Sequence, residues 1–174
     1  GRACARAAPI RDASSDAEAG TVRVAATTAP VSDGLSFTFR RGDPEAWTLG
    51  RLVEAGTLSP EAAGLLSVAV ERGVTGLVAG GRGAGKTTTP GALLWELPAS
   101  TRAILIEDTP ELPASALAAA GRDAQRLSVG DGAGPGASEA VRTALRLGSG
   151  ALVVGEVRGE EAAALYEAMR VGAA

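Results

Sequence analysis

The second half of the chain alternates short apolar runs with longer stretches whose apolar residues recur every three or four positions. A continuous apolar run predicts a buried strand, whereas recurrence at helical spacing predicts an amphipathic helix. Strands that alternate with helices are typical of a mostly parallel sheet covered by helices. We therefore predict strands at residues 75–79, 103–107, 125–129 and 151–154, and helices near residues 87–97, 138–147 and 160–170.

The first half carries a different pattern, with two stretches of β-forming residues on either side of a turn. Residues 21–26 and 35–40 are rich in Val, Thr and Phe, and Ser32-Asp33-Gly34 lies between them. This order predicts two strands joined through a turn. We interpret the segment as part of a small α+β domain.

Two helices are predicted between these strands and residue 74. The first begins at Asp43-Pro44 and ends near Gly56. The second begins at Ser59-Pro60-Glu61, which supplies a capping hydroxyl, a proline at the first helical position and an acid in the first turn. Gly73 is placed to end this second helix, because glycine readily adopts the left-handed conformation that follows a helix.

We expect two domains from these patterns. Residues 1–72 would form a partial N-terminal α+β domain with a helical linker. Residues 73–174 would form an α/β core. The low aromatic content of 3% implies a core of Ala, Val and Leu side chains.

Charge and composition limit the ligands and reactions that this stretch of chain can support. The net charge of −3 argues against a dedicated nucleic-acid surface, so no direct nucleic acid is expected as a partner. The absence of histidine excludes histidine-based zinc sites and histidine-activated nucleophiles from this stretch. One cysteine, Cys4, cannot form an internal disulfide, which is compatible with a reducing cytoplasm. No apolar run is long enough to cross a bilayer, and no secretory signal is apparent.

The strongest motif matches the phosphate-binding loop pattern G-x-x-x-x-G-K-[ST] and contains the single lysine of the chain, Lys86. Glycines let backbone N–H groups approach a polyanion, and a compact ammonium fits between phosphates better than a forked guanidinium. Thr87 offers a hydroxyl to Mg²⁺. We therefore expect a nucleoside triphosphate and Mg²⁺ as cofactors. The predicted binding residues are Gly80, Gly81, Arg82, Gly83, Ala84, Gly85, Lys86, Thr87 and Thr88.

Acidic residues follow two of the predicted strands. Glu107 and Asp108 end one strand, and Glu156 follows another after Gly155. Ligands of open α/β sheets lie beyond the carboxyl ends of the parallel strands, where carboxylates can hold Mg²⁺ and orient a hydrolytic water. We predict that Glu156 polarises this water, while Glu107 and Asp108 act on the metal through water. The simpler alternative is that such acids only end strands in solvent.

Three arginines are candidates to neutralise charge on a transferred phosphate, namely Arg40, Arg41 and Arg158. Arginine is, however, the default cation of this chain. A surface or salt-bridge role therefore stays open for each of them.

The order of four sequence blocks resembles the type II/type IV secretion system ATPases, and it looks closest to their archaeal pilus and archaellum branch. The blocks are residues 80–87, 106–112, 141–146 and 153–162, and residues 37–41 and 57–61 are similar to the N-terminal part of that family. Four blocks in order are much more specific than the phosphate loop alone.

This resemblance implies a RecA-like P-loop ATPase core, incomplete at its C-terminus in residues 73–174, that assembles into homo-hexameric rings. It implies ATP, with Mg²⁺, bound between the subunits. It implies Walker A roles for Lys86 and Thr87, an acidic box at Glu107, Asp108 and Glu111, and a Walker B position for Glu156. Arg40 resembles an N-terminal arginine that can approach the γ-phosphate. The implied place is the cytoplasmic face of a membrane, with an integral membrane platform protein as partner.

One departure from the family concerns Pro90, where relatives usually carry leucine. A proline inside the helix after the loop would remove an N–H bond toward Lys86, at a cost of about 3 kcal/mol. Either Pro90 or an incomplete ring leaves open a nucleotide-binding module without turnover. A separate alternative is an unrelated P-loop enzyme, such as a kinase or a nucleic-acid translocase.

Overall fold

The computed structural model describes residues 22–27, 32–41, 45–129, 136–157, 159 and 161–170. The chain divides into two compact units, residues 1–45 and 46–174. The division into functional domains near residue 72 stays a prediction.

The first unit contains an antiparallel pair of strands, β1 (Val22–Thr27) and β2 (Ser36–Arg41). Both lie one residue later than predicted. Between them, the hydroxyl of Ser32 donates to the carbonyl of Gly34 at 2.6 Å, as expected of a turn residue. Residues 28–31, between β1 and the predicted turn residues, lie outside the described part of the chain.

The second unit opens with helices α1 (Leu49–Glu54) and α2 (Pro60–Glu71). The hydroxyl of Ser59 accepts a hydrogen bond from the backbone N–H of Ala62, so the predicted start of α2 is confirmed. The predicted start of the first helix at Asp43-Pro44 is wrong, because residues 45–48 are not helical. The extended residue Thr48 caps α1 instead by accepting from the backbone N–H of Arg51.

The centre of this unit is a parallel sheet of three strands in the order β4-β3-β5. The strands are β3 (Ala103–Glu107), β4 (Ala124–Ser128) and β5 (Ala151–Val154). Strands β3 and β5 have the predicted bounds, and β4 begins one residue earlier than predicted. Every residue of the central strand β3 is buried, which explains its continuous apolar run.

Helices cover both faces of the sheet. On one face, Leu105 packs with Leu94, Leu112 and Leu117; on the other, Ile104 and Ile106 pack with Val141 and Ala168, among others. The helices are α3 (Thr88–Leu93), which continues as a 3₁₀ turn over Leu94–Glu96, α4 (Ala114–Ala119), α5 (Ala137–Arg146) and α6 (Glu161–Arg170). The six-residue α4 was not predicted, because its alanine-rich sequence carries little helical periodicity. Within the described residues, no helix has the length and apolar character needed to cross a membrane.

The predicted strand at residues 75–79 is wrong. Residues 74–80 have no regular secondary structure, and Leu77 is 84% exposed and Val74 63% exposed. An apolar run predicts burial, but a strand also needs a neighbour that accepts its backbone hydrogen bonds. The described strands of the sheet pair with one another and not with this segment.

Candidate nucleotide-binding site

The loop that precedes α3 has its shape set by glycine. Gly83 and Gly85 have φ angles of 78° and 82°, which lie in the left-handed region that side chains with a Cβ avoid. A Cβ at Gly80 would lie 3.0 Å from the Cβ of Ala84, closer than side chains normally approach. Residues 80–84 are exposed. Glycine therefore sets the path of this loop at three points, and the backbone of residues 80–84 is accessible to solvent.

The amine of Lys86 lies across this same loop. Its Nζ donates to the carbonyl oxygen of Gly81 at 2.6 Å, and the side chain is exposed. Thr87 precedes α3 and makes no capping hydrogen bond with its side chain. The cation and this hydroxyl are thus adjacent at the point where the loop becomes a helix.

Pro90 removes one hydrogen bond from the start of α3, as predicted, and the neighbouring bonds are formed. The N–H of Thr89 donates to the carbonyl of Gly85 at 2.9 Å, and the N–H of Gly91 donates to the carbonyl of Thr87 at 3.1 Å. Because Pro90 is the third residue of α3, its ring lies in the first turn, where proline is tolerated. The predicted position of Pro90 in the interior of a helix is therefore wrong. Helix α3 runs three residues past the proline before it becomes the 3₁₀ turn.

Helix α3 connects the loop to the sheet. A Cβ on Gly91 would lie 3.5 Å from Cδ of Pro113, an ordinary contact distance. Leu94, in the following 3₁₀ turn, packs against Leu105 of β3 and against Leu112. The loop is consequently anchored beside the segment that follows β3.

The two predicted acidic strand ends are neighbours. Ile106 of β3 is paired with Val154 of β5 in parallel register, and the N–H of Gly155 donates to the carbonyl of Ile106 at 2.9 Å. Asp108 and Glu156 follow these positions, so both leave the same edge of the sheet, and both are exposed. Among the described residues, no group of three or more acidic or cysteine side chains forms a metal site.

Glu107 differs from the other acids because it is only 4% exposed and is the one buried charged residue in the described part of the chain. Its Oε1 accepts from the backbone N–H groups of Glu111 and Leu112, at 2.9 and 2.7 Å. Its Oε2 pairs with Nε of Arg126 at 2.9 Å. Sequence reasoning missed Arg126, because its partner lies on a different strand and the stretch predicted as β4 already mixes polar with apolar residues.

The structure does not describe the side chains of the three arginines predicted to neutralise charge on a phosphate. Arg40 and Arg41 lie on β2, but their side chains are outside what the structure describes, and Arg158 is outside the described residues. Their roles stay predictions.

The fold and this site define a class, an α/β domain of the P-loop type whose glycine loop, lysine and acidic sheet edge suit a nucleotide phosphate. The family model described as "Type II/IV secretion system protein" matches residues 14–174. The chain belongs to this family, which confirms the resemblance found in the sequence.

A solved structure gives the same fold. The crystal structure of the VirB11 ATPase from the type IV secretion system of Brucella suis, in complex with sulphate, superposes with a TM-score of 0.54 at 25% identity. The match covers 88% of this chain and 52% of that one. The predicted RecA-like core with a parallel sheet is thereby confirmed.

Relatives in sequence come from bacteria and archaea. A "Putative conjugal transfer protein" of Mycobacterium tuberculosis (strain ATCC 25618 / H37Rv) is 36% identical, and the match covers 87% of this chain and 43% of that protein. An uncharacterized protein of Methanocaldococcus jannaschii is 34% identical, with 86% of this chain and 22% of that protein covered. The conjugal transfer protein TrbB of Rhizobium radiobacter is 27% identical, with 82% and 43% covered. The chain therefore spans less than half the length of these relatives.

Proposed function

We propose that this chain is part of an ATP-hydrolysing motor subunit that drives a type II/IV secretion, conjugal transfer or pilus-type machine. The observation that carries the proposal is the loop at residues 80–87, whose path depends on glycine and across which the amine of Lys86 donates to the carbonyl of Gly81. Family membership and the likeness to the VirB11 ATPase support it. They also disfavour the alternative of an unrelated P-loop enzyme.

The loop residues fit a triphosphate. The backbone N–H groups of the loop glycines would bind phosphate oxygens, because no side chain at these positions blocks their approach. The N–H of Ala84 donates to the carbonyl of Gly81 at 3.3 Å, so it would bind phosphate only after leaving that carbonyl. The amine of Lys86 would leave the carbonyl of Gly81 for the β- and γ-phosphates, a charged acceptor that binds an ammonium more strongly than a neutral carbonyl does. Thr87 and Thr88 would complete the contacts, with the Thr87 hydroxyl holding Mg²⁺.

Glu156 would orient the attacking water and accept its proton, since it is exposed at the edge of the sheet beside β3. Asp108 would hold the metal through water at the same edge. Mg²⁺, when bound, neutralises charge on the phosphates. A direct catalytic role for Glu107 stays a prediction, as does the approach of Arg40 to the γ-phosphate.

The assembly is also proposed from the family. It would be a homo-hexamer with nucleotide between subunits, located in the cytoplasm at the inner face of the cell membrane and docked on an integral membrane platform protein. No direct contact with nucleic acid is expected, because the chain is acidic overall. The archaeal pilus or archaellum as the driven machine stays a prediction.

The test is Mg-ATPase activity of the whole protein, measured together with its mass in solution. We expect hydrolysis by a species of six subunits. Nucleotide binding by a hexamer without hydrolysis would favour a binding module without turnover, and no binding at all would overturn the proposal.

A further inference from the structure

We propose that Glu107 and Arg126 form a positioning pair that fixes the acidic edge of the site, meaning Asp108 and Glu156 at the carboxyl ends of β3 and β5. The pair would act through these two acids instead of touching the nucleotide. This inference rests on the proposed ATP hydrolysis. It assigns a function to Arg126, which no sequence pattern indicated.

The first support is that the carboxylate of Glu107 is fully engaged. Oε1 accepts two backbone N–H groups, from Glu111 and Leu112, and Oε2 accepts from Nε of Arg126 at 2.9 Å. At 4% exposure the carboxylate has little access to a bound ligand or to a hydrolytic water. A general base must reach the proton that it removes. Glu107 is therefore better placed to fix the backbone at Glu111 and Leu112 than to act on the substrate.

The second support is that Arg126 binds both ends of the turn after β3, which comprises residues 108–112. While Nε binds Glu107, Nη2 donates to the carbonyl of Leu112 at 2.8 Å. The guanidinium thus binds the carboxylate and the same turn that the carboxylate binds. A planar fork can hold two acceptors in fixed geometry, whereas an ammonium cannot reproduce both directions. Residues 108–112, which include Asp108 and Glu111, are held to strands β3 and β4.

The third support links this pair to β5. A Cβ on Gly155 would lie 3.2 Å from Cγ of Glu107 and 3.4 Å from the carbonyl oxygen of Ile106. The residue immediately before Glu156 therefore packs directly on the Glu107 side chain. Consequently, the position of Glu107 bears on both exposed acids of the edge, Asp108 and Glu156.

The test compares Arg126→Gln with Arg122→Gln in the whole protein. Arg122 is a matched control, because it is also partly buried and donates to backbone carbonyls, those of Trp95 and Leu97, away from the acidic edge. We expect Arg126→Gln to lower kcat by about 10- to 100-fold with KM for ATP changed less than about threefold, because a small misplacement impairs chemistry more than binding. We expect Arg122→Gln to lower Tm and leave kcat at the parent value.

A second measurement does not depend on turnover. The amide hydrogens of Glu111 and Leu112 should exchange faster in Arg126→Gln than in the parent, because their acceptor loses its partner. The double variant Glu107→Gln/Arg126→Gln removes the buried charge together with its partner, so we expect kcat to return to within about fivefold of the parent. If Arg126→Gln fails to fold, Arg126→Lys keeps a cation and should give the same kcat-selective loss, to a smaller extent.

Parental kcat in Arg126→Gln or Arg126→Lys, with only Tm reduced, would overturn the positioning role and leave the proposed function intact. A double variant as inactive as Glu107→Gln alone, with normal amide exchange, would mean that Glu107 takes part in the reaction itself and would also overturn it. If the unchanged protein does not hydrolyse ATP, the proposed function fails, and the positioning role fails with it.

Discussion

The phosphate loop and the acidic edge are both parts of the proposed site, yet they obtain their shape differently. The loop is exposed, its curvature comes from Gly83 and Gly85, and Lys86 bonds to a carbonyl five residues away. The edge is organised around the buried Glu107, which pairs with Arg126 from another strand, 19 residues away in sequence. The proposed phosphate binding would therefore be encoded locally, whereas the geometry for the proposed hydrolysis would depend on tertiary contacts. Mutations in the two regions should separate ATP binding from turnover.

The largest effect is expected from Lys86→Ala. Loss of the only ammonium aimed into the loop should reduce ATP hydrolysis by at least about 100-fold and weaken ATP binding, because preorganised charge at the phosphates is removed. Calorimetric titration and steady-state kinetics measure both quantities. Arg142→Ala removes an exposed cation on α5 and is the control, with both quantities unchanged. Parental activity in Lys86→Ala would contradict the role of the loop.

Glu156→Gln should separate ATP binding from ATP turnover. We expect ATP binding at the parent affinity and a loss of turnover of about 100- to 1000-fold, since the amide cannot accept the proton of the attacking water. Glu139→Gln, an exposed acid in the first turn of α5, is the control and should keep full turnover. Hydrolysis by Glu156→Gln at the parent rate would show that this carboxylate is not the base.

Gly85→Ala tests whether the backbone alone shapes the loop. A Cβ at φ 82° is expected to cost about 1–2 kcal/mol and to weaken ATP binding about tenfold. Gly148 has φ 69° at the end of α5, with open space around it, so Gly148→Ala should cost similar stability without loss of ATP binding. Equal ATP affinities in the two variants would contradict a local origin of the binding site.

The smallest effect is expected outside both regions, at Ser59→Ala. Loss of the cap of α2 should lower the free energy of unfolding by about 1 kcal/mol without changing ATP turnover. Hydrogen bonds from the backbone N–H of Glu61 and from the Ser59 hydroxyl lower the pKa of Glu61. Their contribution to folding stability is therefore present at neutral pH and is lost as the pH falls through that pKa. The variant should therefore raise the pKa of Glu61 toward its ordinary value, which an NMR titration measures.

The sequence predicted the parts of the molecule that depend on local pattern. Strands β3 and β5 and the cap of α2 are confirmed, because continuous apolar runs and a Ser-Pro start carry their own structural signal. The unpaired segment at residues 75–79 was mispredicted, because strand formation requires a partner that no local pattern reveals. Arg126 was missed for the same reason, since its pairing with Glu107 exists only after β3 and β4 align.

The central claim is that the amine of Lys86 binds the outer phosphates of a nucleotide. It is tested most directly by a crystal structure of the protein with Mg²⁺ and a non-hydrolysable ATP analogue. We predict that Nζ of Lys86 leaves the carbonyl of Gly81 and lies within hydrogen-bond distance of the β- and γ-phosphates, with the N–H groups of the loop on the same oxygens. An analogue bound elsewhere, with the amine still on Gly81, would contradict the account.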